Sequence, residues 1–183
     1  IILHCPRFCV YISILTPKAP WIGTKNIWDL FAEVNLLDKN TYNKIKSKKG
    51  NEWTEDFARE VYDDVIKHKY FITNLGKCTQ PDARVLPNSV YKQYLQLLEK
   101  EIEIIKPKVI ILFGNQVSSI VLNKKISVSQ VRKKLFLKDI NGTNYKFYSV
   151  YYPIGNGRFN INKAIEDIKW ILNKELKKEL KNL

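Results

Sequence analysis

Apolar and polar positions follow two periodicities along this chain, and these predict two kinds of element. Short unbroken apolar runs predict buried strands at Val10–Leu15, Tyr70–Thr73 and Lys108–Phe113. The segments between these runs carry apolar residues at the spacing of one helix face. Strands that alternate with helices form parallel sheets joined by crossover helices. The pattern therefore predicts an α/β fold.

Four segments have the spacing of amphipathic helices. Their predicted starts are Asn26, Thr54, Asn88 and either Asn160 or Asn162. Thr54 is predicted to cap its helix, because two carboxylates follow it in the first turn, where they suit the helix dipole. Val117–Leu122 predicts a further short helix, whereas Lys39–Gly50 is predicted to be a polar connection.

Asn141-Gly142 stands between two further strand-like segments, Phe136–Ile140 and Asn144–Val150. An Asn-Gly pair at that place predicts a β-hairpin with a two-residue turn. Together the elements predict one three-layer α/β/α domain over residues 1–183, with a central, mostly parallel four-stranded sheet and a small β-hairpin. Because the chain begins at Ile1 rather than Met, we expect that more sequence precedes it.

Three polar loops are predicted to meet at the edge of the sheet where its parallel strands end. They are Thr16–Thr24, Asn74–Arg84 and Tyr152–Phe159, and Gly114-Asn115-Gln116 lies between them. Open parallel sheets bind ligands at this edge, outside the carboxyl ends of the strands. We call the three loops and the Gly114–Gln116 segment the rim, and we expect the function to reside there.

The charge of the chain favours a polyanionic partner. It holds 31 Lys and Arg against 18 Asp and Glu, a net charge of +13, which favours binding to nucleic acid. Many lysines fall on predicted solvent faces and follow a general compositional bias, so charge alone does not decide the partner. The early apolar stretch Phe8–Leu15 is too short to span a bilayer, and no signal-peptide pattern surrounds it. We expect a cytoplasmic protein with no membrane partner.

The three cysteines, Cys5, Cys9 and Cys78, do not form a disulfide framework, since their number is odd and small. Cys5 and Cys9 have a spacing that suits a pair of metal ligands, with His4 and Cys78 as further candidates. A structural zinc site usually shows two such pairs. We favour ordinary buried thiols and expect no bound metal.

Several rim residues suit a planar heterocycle attached to a phosphate backbone. Trp21 offers a face for stacking, and the Asn74 amide offers a donor beside an acceptor, as reading a pyrimidine edge requires. Lys77, Asn156 and Arg158 can contact phosphates. Each also has a plainer interpretation: Asn74 as a turn residue, Trp21 as a core aromatic, Lys77 as surface charge and Asn156 as part of a flexible turn.

Five segments carry motifs in a fixed order along the chain. They are PWIG at Pro20–Gly23, YFITNLGKCTQ at Tyr70–Gln80, PKVIILFG at Pro107–Gly114, Val128–Arg132, and the loop Val150–Arg158. In order and spacing they resemble the "PFVG", "YITN-x-x-KC", "PKVIV-x-LG", "ITxxRG" and "HPS" elements of the uracil-DNA glycosylase superfamily, nearest to its bacterial and archaeal branches.

The resemblance implies an enzyme of DNA base-excision repair. Such a glycosylase flips a deaminated base such as uracil from single- or double-stranded DNA into a rim pocket, and it hydrolyses the N-glycosidic bond. By the same resemblance, Asn74 would pair with the uracil edge and Trp21 would stack on the base. Pairing discriminates bases by roughly 1–3 kcal/mol, and stacking adds about 1–3 kcal/mol without selectivity.

The catalytic positions depart from the family pattern. The loop that normally supplies a water-positioning group has no carboxylate here, which leaves Thr16 as the candidate. Asp29 and Asp82 are the nearest carboxylates in the sequence that could replace this group. Tyr152 stands where the family has a histidine, and its hydroxyl is a candidate donor to the departing base. Ile154 replaces the serine of that motif.

Two further expectations concern cofactors and DNA. Iron–sulfur members use four cysteines, and Tyr94 stands at one of those positions, so we expect no cluster and no other cofactor. Phe159 is a candidate wedge for the DNA minor groove. The full set of predicted DNA contacts is Lys77, Arg84, Gly114, Asn115, Gln116, Asn156, Arg158 and Phe159.

Two alternatives to a monomeric glycosylase stay open. One is a non-catalytic DNA-binding member of the same superfamily, which kept the pocket and lost the group that activates water. The other is a nucleotide-binding regulatory domain. The second is the weaker alternative, because the chain has no Gly-rich phosphate loop.

Overall fold

The structure of the protein is a computed structural model that describes residues 2–4, 21, 24–77 and 86–176, with the backbone alone for 2–4, 156 and 176. The strands are β1 Ile2–His4, β2 Ile72–Asn74, β3 Ile110–Phe113, β4 Phe136–Ile140 and β5 Thr143–Val150. The helices are α1 Lys25–Glu33, α2 Lys39–Ser47, α3 Glu55–Lys67, α4 Asn88–Lys92, α5 Leu95–Ile105, α6 Asn115–Val121, α7 Val128–Val131 and α8 Ile161–Leu176. Short 3₁₀ helices cover Gly50–Glu52 and Gly155–Asn160.

The strands form a single sheet in the order β2-β1-β3-β5-β4. β2, β1, β3 and β5 run parallel, and β4 pairs antiparallel with β5. The predicted mixed α/β class is confirmed. The described sheet has five strands, however, and not four, because the hairpin is part of it: β5 pairs with β3, from Ile110 opposite Phe147 to Phe113 opposite Val150.

The position between β2 and β3 belongs to β1, a strand that the sequence pattern did not predict. The described part of β1 has three residues, and so short a segment shows no periodicity to read. The strand predicted at Val10–Leu15 lies outside the described residues.

Hydrophobic cores lie on both faces of the sheet, because successive side chains of a strand point to opposite faces. Ile111 and Phe113 join the buried residues of α1, α3 and α8; we call this cluster the α8-side core. Ile110 and Leu112 join buried residues of α4, α5 and α6 in the α5-side core. β3 is therefore buried throughout, as its unbroken aliphatic run predicted.

Predictions that depend only on residues close together in the chain were confirmed. The Oγ1 atom of Thr54 accepts a hydrogen bond from the backbone N–H of Phe57 at 3.2 Å, so this residue caps α3 as predicted. Asn141 and Gly142 have φ values of 49° and 83°, the paired positive φ of a tight hairpin turn. In α8, Ala164, Ile168 and Ile171 are buried at helical spacing.

Two helix predictions were wrong. Residues 39–47, predicted as a polar connection, form α2, which buries Thr41 and Ile45. One aliphatic residue in this helix is too few to show a periodicity. The helix predicted from Asn88 is divided into α4 and α5, and Pro87 rather than Asn88 occupies the N-cap position. Among the described residues, no helix has both the length and the apolar character that crossing a membrane requires.

Candidate functional site

Asn74 is the last residue of β2 and lies at the carboxyl end of the parallel strands. Ile72 and Ile111 pair with the same residue of β1, so Asn74 is level with Phe113 of β3. Ile72 belongs to the α8-side core, and side chains two apart on a strand share a face. The Asn74 side chain therefore lies on the α8-side face, about 9.5 Å from Phe113 along the sheet at the usual strand spacing.

The Oδ1 atom of Asn74 is buried, and within the described part of the chain it has no hydrogen-bond partner. A buried acceptor without a partner costs about 1–3 kcal/mol. Such a cost is commonly recovered when a ligand supplies the missing donor. An amide oxygen in this state is suited to accept a hydrogen bond from a ligand N–H.

Trp21 lies in the α8-side core and is only 5% exposed. Its ring packs edge-on against Phe113 and Trp28, with centroids 6.2 and 6.4 Å away, and tilted against Phe31 at 5.7 Å. Its carbonyl accepts hydrogen bonds from the Trp28 indole and from the Thr24 backbone. Trp21 has a φ of 62°, a left-handed conformation that costs a bulky residue about 1–3 kcal/mol.

Tyr152 follows the end of β5, and its half-buried ring lies 6.3 Å from the ring of Phe113. A Cβ atom on Gly157 would lie 1.8 Å from the carbonyl oxygen of Tyr152. A Cβ atom on Gly114, whose φ is 86°, would lie 3.3 Å from the Tyr152 Cβ. Two glycines thus allow close backbone approach on both sides of Tyr152.

Phe113 connects the residues that the sequence singled out. It contacts both Trp21 and Tyr152, and it is level with Asn74 across β1. The structure thus brings Trp21 and Tyr152 to one aromatic cluster, with Asn74 on the same face of the sheet. Phe113 was not predicted as a site residue, although its position immediately before Gly114 at the end of a buried strand marked it as a rim neighbour.

Lys77 lies on the opposite, α5-side face. Its ammonium group donates to both carboxylate oxygens of Glu101, at 2.7 and 2.8 Å, and the Thr73 hydroxyl donates to Glu101 as well. The Lys77 side chain is 18% exposed. A phosphate contact by Lys77 stays a prediction, and it would require this ion pair to open.

The side chains of Asn115 and Gln116, which follow β3, form hydrogen bonds to neighbouring segments. Asn115 accepts a hydrogen bond from the backbone of Val128 at 2.9 Å. Gln116 donates to Asn88 Oδ1 at 3.0 Å and to the Leu86 carbonyl at 3.3 Å. The start of α6 is therefore tied to α7 and to the start of α4. DNA contacts by Gly114, Asn115 and Gln116 stay predictions.

The loop predicted at Tyr152–Phe159 ends in a 3₁₀ helix, which presents the exposed side chains of Arg158 and Phe159. Phe159 is 78% exposed, and the Arg158 guanidinium carbon lies 4.9 Å from its ring centroid. A cation and an aromatic ring are thus displayed together at this end of the rim. For Asn156, the structure describes the backbone alone.

Other predicted residues fall elsewhere. Thr16, Asp82 and Arg84 lie outside the described residues. Asp29 accepts hydrogen bonds from the Tyr42 hydroxyl at 3.0 Å and from the Lys46 ammonium at 2.8 Å. Its carboxylate is therefore engaged by these two groups.

The Val128–Arg132 motif ends in an ion pair that the sequence did not indicate. Arg132 donates from Nε and a terminal nitrogen to Asp167, each at 2.9 Å, and to Glu166 at 2.8 Å. Asp167 is fully buried. Hydrogen bonding to Asp167 is the main reason that the pKa of Arg132 is raised. Arg132 therefore joins the end of α7 to α8.

The sequence of the chain was compared with models of known protein families. The sequence model of the uracil DNA glycosylase superfamily matches residues 18–173. The chain belongs to the uracil DNA glycosylase superfamily. The matched range contains Trp21, Asn74 and Tyr152 and begins after Thr16. No curated protein sequence matches the chain.

Proposed function

We propose that this member of the superfamily binds DNA and hydrolyses the N-glycosidic bond of a deaminated base, such as uracil. Family membership supports the class of reaction, since the superfamily generally contains DNA N-glycosylases. The observation that carries the proposal is the buried Oδ1 atom of Asn74, which lacks a partner among the described residues and lies on the same face as Phe113. The protein acts as a monomer in this proposal.

Asn74 provides the base selectivity. Its Oδ1 accepts a hydrogen bond from the uracil N3–H, and its Nδ2 donates to an adjacent uracil carbonyl. Cytosine has an acceptor at N3 and an amino group beside it, so a fixed amide meets the wrong partners on both atoms. A bidentate contact of this kind discriminates by roughly 1–3 kcal/mol.

The aromatic cluster provides the surface for the base. Trp21 contributes an edge-packed ring that is almost fully covered, so its contact with the base is limited to the part that remains exposed. The half-buried ring of Tyr152 is the more open of the two. Aromatic contacts of this type stabilise any flipped base by about 1–3 kcal/mol.

Tyr152 stabilises the leaving base. When the bond from C1′ to the base breaks, the electron pair passes to the base, and its charge is spread over the ring nitrogen and the carbonyl oxygens. The Tyr152 hydroxyl donates a hydrogen bond to one of those oxygens. A water molecule forms the new bond to C1′ and releases its proton. The Thr16 loop is the proposed site that orients this water.

DNA binds across the rim. Arg158 neutralises a phosphate, and Phe159 enters the base stack at the position that the flipped base vacates. Lys77, Arg84, Gly114, Asn115, Gln116 and Asn156 complete the proposed contacts. The net charge of +13 supports this mode of binding, and its strength should fall with added salt.

The proposal is tested with oligonucleotides that contain uracil, hypoxanthine or xanthine, single- and double-stranded, by measuring abasic sites. Asn74→Ala should lower kcat/KM on the preferred base roughly 5- to 150-fold, the loss of a bidentate contact. Asn173→Ala, an exposed position on α8, is the matched control and should keep full activity. Absence of abasic sites on every substrate would refute the glycosylase.

A non-catalytic DNA-binding function is the second candidate. It is favoured by the state of Asp29, the described one of the two carboxylates considered as a replacement water-positioning group, because Tyr42 and Lys46 already bind its carboxylate. Binding of uracil-containing DNA without abasic product would support this candidate.

Tyr152→Phe separates the two functions. The substitution removes one hydroxyl donor and should lower kcat about 10²-fold if Tyr152 stabilises the leaving base. The Kd for the same DNA, measured by fluorescence anisotropy, should change less than about twofold. Equal losses in kcat and in binding would show that Tyr152 is a binding residue only.

A further inference from the structure

A cluster of three metal-ligating side chains lies where α2 begins and α3 ends. Asp38 immediately precedes α2, Asp64 lies in the last turn of α3, and His68 follows α3 directly. One donor atom of each residue lies within 4.8 Å of the others. The cluster lies before the start of β2, at the sheet edge opposite the rim.

Each carboxylate uses one oxygen within the protein and turns the other toward His68. Asp64 Oδ2 accepts a hydrogen bond from the Asp38 backbone N–H at 2.9 Å, and Asp38 Oδ2 accepts one from the Lys67 ammonium. The remaining oxygens lie 3.1 Å from His68 Nδ1, for Asp64, and 3.5 Å from His68 Nε2, for Asp38. The two carboxylate oxygens thus approach different nitrogens of one imidazole, Asp64 at Nδ1 and Asp38 at Nε2.

The Asp64 carboxylate that faces His68 is buried. The Asp64 side chain is 5% exposed, and its Oδ1 receives no hydrogen bond within the described ranges of the chain. A buried carboxylate oxygen without a hydrogen bond is costly. A cation held at that oxygen would remove the cost.

His68 is oriented as metal-binding histidines usually are. Its Nδ1 lies 2.9 Å from the backbone carbonyl oxygen of Asp64. In a neutral imidazole that donates from Nδ1 to this carbonyl, the lone pair lies on Nε2, and metal ligands commonly have such an outer hydrogen bond. The imidazole is 20% exposed, so an ion can reach it from solvent.

We propose that Asp38, Asp64 and His68 bind a divalent transition-metal cation such as Zn²⁺. An imidazole and two carboxylates are donors that suit this class of ion. Adjacent donors around a tetrahedral zinc lie roughly 3.3 Å apart for bonds of about 2.0–2.1 Å, so Asp64 must turn its Oδ1 from His68 Nδ1 toward Nε2 to bind the same ion. With neutral His68, the two carboxylates and Lys67 leave one negative charge for the cation to neutralise.

The bound ion has a structural role. It joins the connection between α1 and α2 to the end of α3, and so it stabilises the folded state in proportion to its occupancy. These ligands are separated by 26 residues and then by four, a spacing that matches no known metal motif. The sequence therefore did not predict this site, and the expectation of no metal rested on the cysteines.

The experiment uses the full chain with Cys5, Cys9 and Cys78 replaced by Ser, because thiolates would bind the same probe. After chelator treatment, Zn²⁺ binding is measured by isothermal titration calorimetry, and Tm is measured with and without Zn²⁺. One equivalent should bind and raise Tm. Asp38→Asn and His68→Gln should each weaken binding by more than about tenfold, whereas Asp63→Asn, an exposed carboxylate on the same helix, should bind as the parent does.

A further variant tests whether Lys67 competes with the cation. Lys67→Met keeps all three ligands and removes the competing ammonium, so it should bind Zn²⁺ at least as tightly. No binding by the cysteine-free chain, or equal binding by His68→Gln and Asp63→Asn, would overturn the proposal.

Discussion

At the scale of single residues, the conformation of Tyr152 depends on glycines that lie apart from it in sequence. The space beside its carbonyl oxygen exists because Gly157 lacks a Cβ, and the space beside its own Cβ exists because of Gly114. A tyrosine that must place one hydroxyl against a leaving base needs a fixed backbone. Gly114 and Gly157 therefore help to position Tyr152, in addition to allowing the chain to turn.

Gly157→Ala tests this dependence. The new Cβ would lie 1.8 Å from the Tyr152 oxygen, so the backbone must shift, and strain of this kind costs about 1–3 kcal/mol. We expect a lower free energy of unfolding in urea and a loss of proposed glycosylase activity greater than the loss of stability explains. Gly142→Ala is the control: its φ is 83° but nothing lies within 4 Å, so it should cost about 1 kcal/mol and leave activity unchanged. Equal effects of the two substitutions would contradict the positioning role.

At the scale of elements, α7 and α8 are joined by charge rather than by apolar packing alone. Arg132 makes a two-point contact with Asp167, whose carboxylate is fully buried, and a further contact with Glu166. Removing one partner of a buried pair leaves an uncompensated charge, which is much more costly than losing an exposed pair. The stability of this junction therefore depends on Arg132.

Arg132→Met should lower the free energy of unfolding by about 3 kcal/mol, because Asp167 is left buried and unpaired. The matched control is Arg59→Gln, since Arg59 pairs with Glu55 on the exposed surface of α3 and should cost less than about 0.5 kcal/mol. Urea denaturation measures both variants. Adding Asp167→Leu to Arg132→Met should recover most of the loss. Similar costs for the two single variants would show that the Asp167 contact contributes little.

At the scale of the whole molecule, a single sheet carries apolar cores on both faces and polar groups at both edges. The carboxyl edge holds the rim with Asn74 and Tyr152, and the opposite edge holds the proposed cation cluster. Substitutions at one edge should therefore leave the other intact. Burial raises the pKa values of Tyr62, Tyr70 and Tyr148 in the α8-side core, so the overall stability depends on pH through all three.

Tyr148 should contribute to a fall in stability as pH rises above about 10. Burial, then the hydrogen bond to Glu175, raises the pKa of Tyr148 above its ordinary value of 10.0. The folded state thus holds the phenol proton more tightly than the unfolded state, so this contribution is complete below pH 10 and is lost above it, at up to about 1.4 kcal/mol per pH unit. Tyr148→Phe should be less stable at pH 7 by about 1.5–3 kcal/mol, the loss of a hydrogen bond to a carboxylate. Its unfolding free energy should decline less steeply from pH 10 to 12; parallel declines would disprove the assignment.

The sequence by itself determined what depends on residues close together in the chain. The Asn141-Gly142 turn, the Thr54 cap and the buried run of β3 follow from backbone conformations and side-chain spacings that need no distant partner. The ordered motifs identified the superfamily for the same reason, since each motif is a short segment. Asn74 was placed at a strand end by the alternation of elements alone.

Only the tertiary structure decided which distant groups meet. The position of β1 in the sheet, the contact of Phe113 with both Trp21 and Tyr152, and the ion pair of Lys77 with Glu101 all join segments far apart in sequence. Such contacts depend on how helices and strands pack, and packing leaves no periodic trace in either segment. The burial of the Asn74 oxygen, on which the proposed function rests, is a property of this kind.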